Sequence, residues 1–400
     1  MTPDIRQYLV ITGNYWAFTL TDGALRMLVV LHFHQLGYSP LEIALLFIFY
    51  EFFGVVTNLV GGYLGARWGL NRTMNIGLFL QIAALAMLAV PAAMLTVPWV
   101  MAAQAMSGIA KDLNKMSAKS GIKLLVPDSE QGKLYKWVAI LTGSKNTLKG
   151  VGFFLGGVLL VAAGFTGAVV SMAVALGVVW IASLFLLGQD LGKSKAKPKF
   201  SEILSKSRAI NVLSAARMFL FGARDVWFVV ALPVYLYTVF GWDFWKVGGF
   251  LAIWVIGYGF IQTIAPKITG NMEGRMPAVL WAAALALIPA AIAVSLSVGL
   301  SPQIAVIGGL LLFGVLFAIN SSLHSYLIVS YARGDGVSLD VGFYYMSNAA
   351  GRLLGTILSG WVYQVYGLEA CLWISAGLVA TAALLSMMLP VRAALTADHG

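Results

Sequence analysis

Twelve ionisable side chains fall inside stretches that otherwise read as hydrocarbon. The bases are Arg26, Lys111, Lys115, Lys145, Lys149, Arg217, Arg224 and Arg352; the acids are Asp22, Glu51, Asp112 and Asp225. An ionisable group at membrane depth costs at least a few kcal/mol, so each marks a candidate functional position. Eight bases against four acids leave an excess of four positive charges, which pairing within the chain cannot neutralise. A polyvalent anion can. Arginine suits that task through a planar fork that binds phosphate or carboxylate oxygens two at a time, and lysine through a mobile point charge.

The spacing is that of helix faces. In "GIAKDLNKMSAKSGIK" (Gly108–Lys123) a lysine recurs every four residues, at Lys111, Lys115, Lys119 and Lys123. Residues four apart drift only about 40° around a helix, so Lys111 and Lys115 can face one cavity, as can Lys145 and Lys149. Lys119 and Lys123 lie nearer the cytoplasmic end and read two ways, as side chains snorkelling to headgroups or as a basic mouth that draws anions inward. Arg217 shares a face with Arg224 and suits either a gate or the site. Asp22 and Arg26, at i and i+4, read as a structural ion pair or as part of the site. His324 stands among Asn320, Ser321, Ser322 and Ser325, a polar face that serves substrate contact or helix–helix contact equally well. His32 and His34 are expected to titrate with the outer medium. Tyr15, Trp16, Tyr344 and Tyr345 lie beside the charged stretches, as hydroxyl donors or as packing.

These residues must be positioned by membrane-spanning helices. The chain has 400 residues, 60% hydrophobic and only 10% charged, where a soluble domain carries about a quarter charged. Apolar stretches of about 20 residues, enough for a ~30 Å hydrocarbon core, fall near 8–31, 42–64, 74–95, 98–122, 136–162, 167–188, 210–239, 244–266, 276–298, 302–328, 341–364 and 368–389. Twelve transmembrane helices of an all-α membrane protein are therefore expected. "MTPDIRQYLV" does not resemble a cleaved signal. The net charge of +10 follows topology. Arg67 and Arg72, Lys133 and Lys136, Lys193 to Arg208, and Lys267 and Arg275 fall in alternate loops, and the intervening loops near 95–98, 163–167, 299–302 and 364–367 lack Lys and Arg. By the positive-inside rule both termini and the central loop are cytoplasmic.

The long polar stretch "GQDLGKSKAKPKFSEILSKSRAIN" (Gly188–Asn211) separates six segments from six. Expected units are an N-terminal six-helix bundle over 1–188, a basic cytoplasmic linker over 189–209 and a C-terminal six-helix bundle over 210–400. An offset of 203 maps Asp22 to Asp225, Lys149 to Arg352, Gly152 to Gly355 and Gly157 to Gly360. Secondary transporters are commonly built from such repeats, with substrate held near the midplane between them. "GGYLGARWGLNR" (Gly61–Arg72) resembles the loop signature of the major facilitator superfamily, with Ala66 where the family has an acid. By that resemblance Arg67 and Arg72 pin the cytoplasmic gate. "KGVGFFLGG" (Lys149–Gly157) resembles the superfamily's antiporter motif, with Phe153 in place of proline. The resemblance implies two six-helix pseudo-repeats, with segments three, six, nine and twelve facing lipid. Three of those contain no Asp, Glu, Lys or Arg, and the twelfth only Glu369 at its edge.

A narrower resemblance rests on "GNYWAFTLTDGALRMLVVLHFHQLGYSP" (Gly13–Pro40), "SGIAKDLNKMSAKS" (Ser107–Ser120) and "LYKWVAILTGSKNTLKGVGFFLGG" (Leu134–Gly157). These resemble the organoarsenical efflux permeases (ArsJ), over nearly the whole chain and most strongly in its first half. That resemblance implies export of 1-arseno-3-phosphoglycerate from the bacterial cytoplasm, and hence arsenate resistance. It implies a functional partnership with the glyceraldehyde-3-phosphate dehydrogenase that makes the ester. Such a substrate is anionic at both ends. One set of bases (Lys111, Lys115, Lys145, Lys149) suits one end and a second (Arg224, Arg352) the other, with Arg26 and His324 nearby. Trivalent arsenic seeks several thiolates, as soft metals do, and Cys371 is the only cysteine. No P-loop is present, so transport is expected to be secondary. Arginine does not exchange protons at working pH, which leaves Asp22, Glu51, Asp112 and Asp225 as candidates to couple proton antiport. No cofactor, metal or nucleic acid is expected, and the chain is expected to act as a monomer rather than as an enzyme or receptor. Another organophosphate is the alternative cargo; multidrug export, which favours an apolar cavity, fits poorly.

Overall fold

A computed structural model of the chain describes residues 3–38, 43, 46–127, 129–187, 191–194, 207–270 and 275–390. Every long element among them is a helix. In order they are α1 (Pro3–Gln35), α2 (Ile48–Trp68), α3 (Leu70–Leu88), α4 (Val97–Leu125), α5 (Gln131–Leu186), α6 (Arg208–Phe228), α7 (Ala231–Thr238), α8 (Phe244–Thr269), α9 (Arg275–Ser297), α10 (Pro302–Tyr331) and α11 (Val337–Ser386). Six spans are long and apolar enough to cross a membrane by length and composition alone, with α6 and α7 forming one of them. The charge-bearing helices of the first half, α1, α2 and α4, are not among the six.

Two helices are of double length. α5 runs 56 residues and bends at Gly164 (φ 66°, ψ 179°); α11 runs 50 and bends at Gly367 (φ 79°, ψ −175°). Only glycine adopts such a φ at little cost. The bends fall inside the loops expected near 163–167 and 364–367, so each long helix is two expected segments joined almost without a loop. They are also 203 residues apart, the offset of the sequence repeat. Counting each arm separately, and α6 with α7 as one rod, gives twelve rods among the described residues, the number expected.

Close packing repeats at the same offset. A Cβ on Gly152 of α5 would lie 2.7 Å from the Leu20 carbonyl oxygen of α1, and one on Gly355 of α11 2.7 Å from the Gly222 carbonyl oxygen of α6. Small residues there let two backbones touch, which is how helices associate where lipid removes the hydrophobic drive between them. Conversely, the second arm of α5 turns Val174, Val178, Ile181 and Phe185 outward. Its chargeless, lipid-facing character matches the expectation for segment six.

The two halves meet most tightly toward the end of the bundle where the linker leaves. On α2 and α11, the Ser338 hydroxyl donates to the Gly62 carbonyl (2.8 Å), and a Cβ on Gly342 would lie 2.6 Å from the Asn58 carbonyl oxygen. On α5 and α8, Gly143 sits against Gly259 and Thr263. Nearer the end, Tyr326 and Ser330 both donate to Gln131 at 3.1 Å. Much of the predicted basic linker (189–190 and 195–206, with Lys195, Lys197, Lys199 and Lys206) lies outside the described residues. Its described part fastens the closure: the Leu191 carbonyl accepts from the Leu70 amide, and Ser194 reaches the Ala66 carbonyl and the Asp335 carboxylate, each at 2.8 Å.

The signature loop contributes to this closure differently from the expectation. Arg67 donates to Tyr63 of its own helix at 2.8 Å, and both Arg67 and Arg72 are exposed. Among the described residues, glycine and serine contacts join α2 to α11 here.

Candidate functional site

Above the sealed end, the expected charges converge on the seam between the halves. Tyr50 and Glu51, adjacent on α2, face it together. Glu51 accepts from Arg26 of α1 at 3.3 Å and from Arg352 of α11 at 2.9 Å. Arg352 turns its Nε to Asp225 at 3.1 Å, and Arg224 holds the other oxygen of Asp225 at 2.5 Å. This chain of three arginines and two carboxylates crosses from one half to the other. Its formal charge is one positive.

A second cluster lies on α4. Asp112 is buried and takes Lys115 at 2.6 Å, with Lys111 at 3.8 Å. The Lys111 ammonium also lies 3.8 Å from the centre of the Tyr50 ring, and Lys115 4.6 Å from that of Tyr345. Aromatic faces attract cations through their quadrupole. They hold these lysines in place without consuming their charge. This cluster too carries one excess positive charge.

Asp22 is paired differently from the i,i+4 expectation. It accepts from the Tyr50 hydroxyl at 2.8 and 3.0 Å, and Arg26 turns instead to Glu51 and the rings of Phe47 and Tyr50. No Lys or Arg among the described residues lies within ion-pair distance of Asp22. The adjacency of Tyr50 to Glu51 was visible in the sequence. Its reach to Asp22, 28 residues earlier, depends on how α1 and α2 pack.

On α5, the Lys145 ammonium donates, among the described residues, only to the Asn146 side-chain oxygen at 3.2 Å, and Asn146 bonds Gln262 of α8 across the seam. Lys149, one turn on, has no hydrogen-bond or ion-pair partner among the described residues. Its own carbonyl backs onto Gly23 of α1, where a Cβ would come within 2.6 Å. The glycine thus brings α5 against α1 at this level. Lys145 and Lys149 are partly exposed although they sit mid-helix in the interior, as are Lys111 (13%), Lys115 (15%), Arg224 (15%), Arg26 (25%) and Arg352 (27%). These groups stand on helices that pack together at the seam, so their positive charge is concentrated there.

The remaining candidates lie deeper. Lys119 is 3% and Lys123 8% exposed, so neither snorkels to a headgroup. Lys119 donates to Thr142 at 2.7 Å, and Lys123 reaches the Ser330 carbonyl of the other half at 3.4 Å. Arg217 is 3% exposed, donates to the Ser321 carbonyl at 3.3 Å and stacks 3.9 Å from the Phe221 ring centre. His324 is fully buried with neither ring nitrogen hydrogen-bonded. His32 stacks on Phe165 at 4.2 Å, away from the site.

A bundle of helices in two pseudo-symmetric halves, with ionisable groups gathered at the seam, defines a membrane transporter of small molecules. The chain matches the model of the Major Facilitator Superfamily over residues 9–339 and belongs to that superfamily. Solved structures similar to it include the human organic anion transporter MFSD10 (TETRAN), at 15% identity, covering 96% of this chain and 100% of that one with a TM-score of 0.76. The E. coli fucose:proton symporter FucP (N162A) shares 14% identity over 98% and 100% of the two chains, with a TM-score of 0.74. A bacterial homologue of the iron transporter ferroportin, in an outward-facing state, shares 12% over 97% and 99%, with a TM-score of 0.74. Identities this low carry the fold and no substrate. No curated protein sequence matches the chain.

Glu51 is the joint of the arginine chain, which sets a test. Removing one partner of a buried pair costs about 3–5 kcal/mol, and the 24% exposure of Glu51 scales this to about 1–3 kcal/mol after solvent screening. Glu51→Gln should lower the unfolding midpoint of the purified protein, and Glu51→Gln with Arg352→Gln should recover part of the loss. Equal midpoints for wild type and Glu51→Gln would show that the chain is not a unit.

Proposed function

We propose that this transporter exports an organic ester bearing an arsenate-type group at one end and a phosphate at the other, 1-arseno-3-phosphoglycerate, and thereby confers arsenate resistance. One observation carries the reading. At the seam, seven bases meet four acids, and the acids are already engaged while Lys145 and Lys149 have no carboxylate among the described residues within ion-pair distance. A polyvalent anion supplies the missing charge. The three sequence stretches that resemble organoarsenical efflux permeases narrow the anion to this class. The glyceraldehyde-3-phosphate dehydrogenase that forms the ester is then a functional partner, and the transporter works as a monomer.

The basic loops assign the linker end to the cytoplasm of a bacterial inner membrane. The tightly closed linker end then corresponds to the state that faces outward. Alternating access requires the α2–α11 and α5–α8 glycine contacts to part so that the seam opens inward. Arg224 and Arg352, bound to Asp225 and Glu51 here, orient the site and release charge to substrate as the halves rock.

Among the four acids, Glu51, Asp112 and Asp225 are bound to Arg or Lys, and Asp22 accepts from a phenol. That arrangement favours Asp22 as the proton-exchanging carboxyl in antiport. In everted vesicles, ester uptake should collapse when a protonophore dissipates the gradient; uptake that continues unchanged would remove proton coupling.

The cellular test joins the chain to its substrate. Co-expressed with the dehydrogenase in arsenate-sensitive cells, the wild type should restore growth on arsenate. Lys149→Ala and Arg352→Ala, at normal membrane levels, should lose at least tenfold in tolerated arsenate. Undiminished resistance in both would exclude these residues from the substrate site. If resistance never appears but vesicles transport phosphoglycerate, the cargo is another organophosphate, which the same basic seam suits.

A further inference from the structure

Two buried cations lie beyond the ion pairs already described and take part in none of them. Lys119 of the first half and Arg217 of the second approach each other through a pair of adjacent tyrosines. The Lys119 ammonium is 5.2 Å from the Tyr345 ring centre, the Arg217 guanidinium is 5.3 Å from that of Tyr344, and the two rings are 4.9 Å apart. No carboxylate among the described residues is within ion-pair distance of either cation. Lys119 has three donors and Arg217 five. Among the described residues each has one hydrogen bond, to Thr142 and to the Ser321 carbonyl respectively.

The surrounding polar atoms are equally unspent. Arg217 Nε, the Tyr344 hydroxyl and both ring nitrogens of His324 are buried without a hydrogen-bond partner among the described residues. A buried polar atom left this way costs about 1–3 kcal/mol, and two buried like charges repel as well. Such a cluster on four helices of two halves is uneconomical as scaffolding. Most of its unused capacity, on Lys119 and Arg217 above all, is to donate, which is what a tetrahedral oxyanion requires.

We infer that Lys119, Arg217, Tyr344 and His324 form a second oxyanion subsite, for a phosphate or arsenate group, on the linker side of the Lys145–Lys149 pair. The inference rests on the organophosphate reading and extends it, because it assigns the two ends of the substrate to separate places. Lys119 stands one helical turn beyond Lys115, about 6 Å, and Arg217 about 10 Å along its helix from Arg224. That offset suits a short carbon chain with an anionic group at each end. It replaces the sequence-based division, in which Arg224 and Arg352 receive the second group; here both are already held by carboxylates. Lys119 and Arg217 thus act as ligands in the sealed seam rather than as mouth and gate.

Equilibrium dialysis of radiolabelled inorganic phosphate against the purified full chain in lipid nanodiscs tests this. Wild type should bind two phosphates. Lys119→Met and Arg217→Gln should each bind one at unchanged affinity, with the other weakened at least tenfold. Lys149→Met should weaken the opposite one, and Arg217→Lys, which retains the charge, should keep both. Each variant is judged only if it elutes as a single folded species, and either Lys119→Met or Arg217→Gln suffices. Two unperturbed phosphates in that variant would overturn the subsite. A wild type binding one phosphate, lost only in Lys149→Met, would overturn the subsite and leave the organophosphate reading standing. No binding by wild type would overturn both.

Discussion

Positive charge held between two halves in a poorly screened interior is the constraint on which the rest of this structure depends. Desolvating a charge costs several kcal/mol, and mutual attraction repays it only with well-placed opposite partners. Here partners are too few. The Glu51–Arg352 and Asp225–Arg352 bonds balance part of the excess, and the first of them also ties the halves together. What they leave unbalanced makes the seam receptive to an anion and repulsive when empty. Under the proposed function, substrate binding and conformational preference draw on the same charges.

The glycines set how sharply that constraint acts. Gly23 against Lys149, and Gly355 against Gly222 and Asp225, bring backbones within side-chain reach. Basic residues on neighbouring helices are thereby forced into one layer. At the linker end, Gly62, Gly342, Gly143 and Gly259 do the same across the halves and seal the seam. Such flat contacts can part and re-form without unthreading long side chains, as rocking requires. The latch of Ser194 on Ala66 and Asp335 joins the connection between the halves to the same closure.

Much of this was legible in the sequence because membrane solvent makes its rules strict. Apolar length gave the rods, and the 203-residue offset relating Lys149 to Arg352 reappears in the bends at Gly164 and Gly367. The charged residues of α1, α2, α4, α5, α6 and α11 do converge. What was not legible was who pairs with whom. Asp22 and Arg26 share a face but bond to α2, because helix packing, not sequence spacing, selects the nearer partner. Depth was misread for Lys119 and Lys123, since position along a helix says nothing about the second half covering it. Tyr50 carried no signal beyond its adjacency to Glu51.

The central claim is that excess positive charge, rather than shape or apolar area, selects the cargo. Comparing 3-phosphoglycerate with glycerate as ligands of the purified full chain, by titration calorimetry at two salt concentrations, tests it most directly. The account predicts that phosphoglycerate binds at least a hundredfold more tightly and that its advantage shrinks as salt rises. Equal affinity for the two, or a preference for an apolar cation, would contradict it.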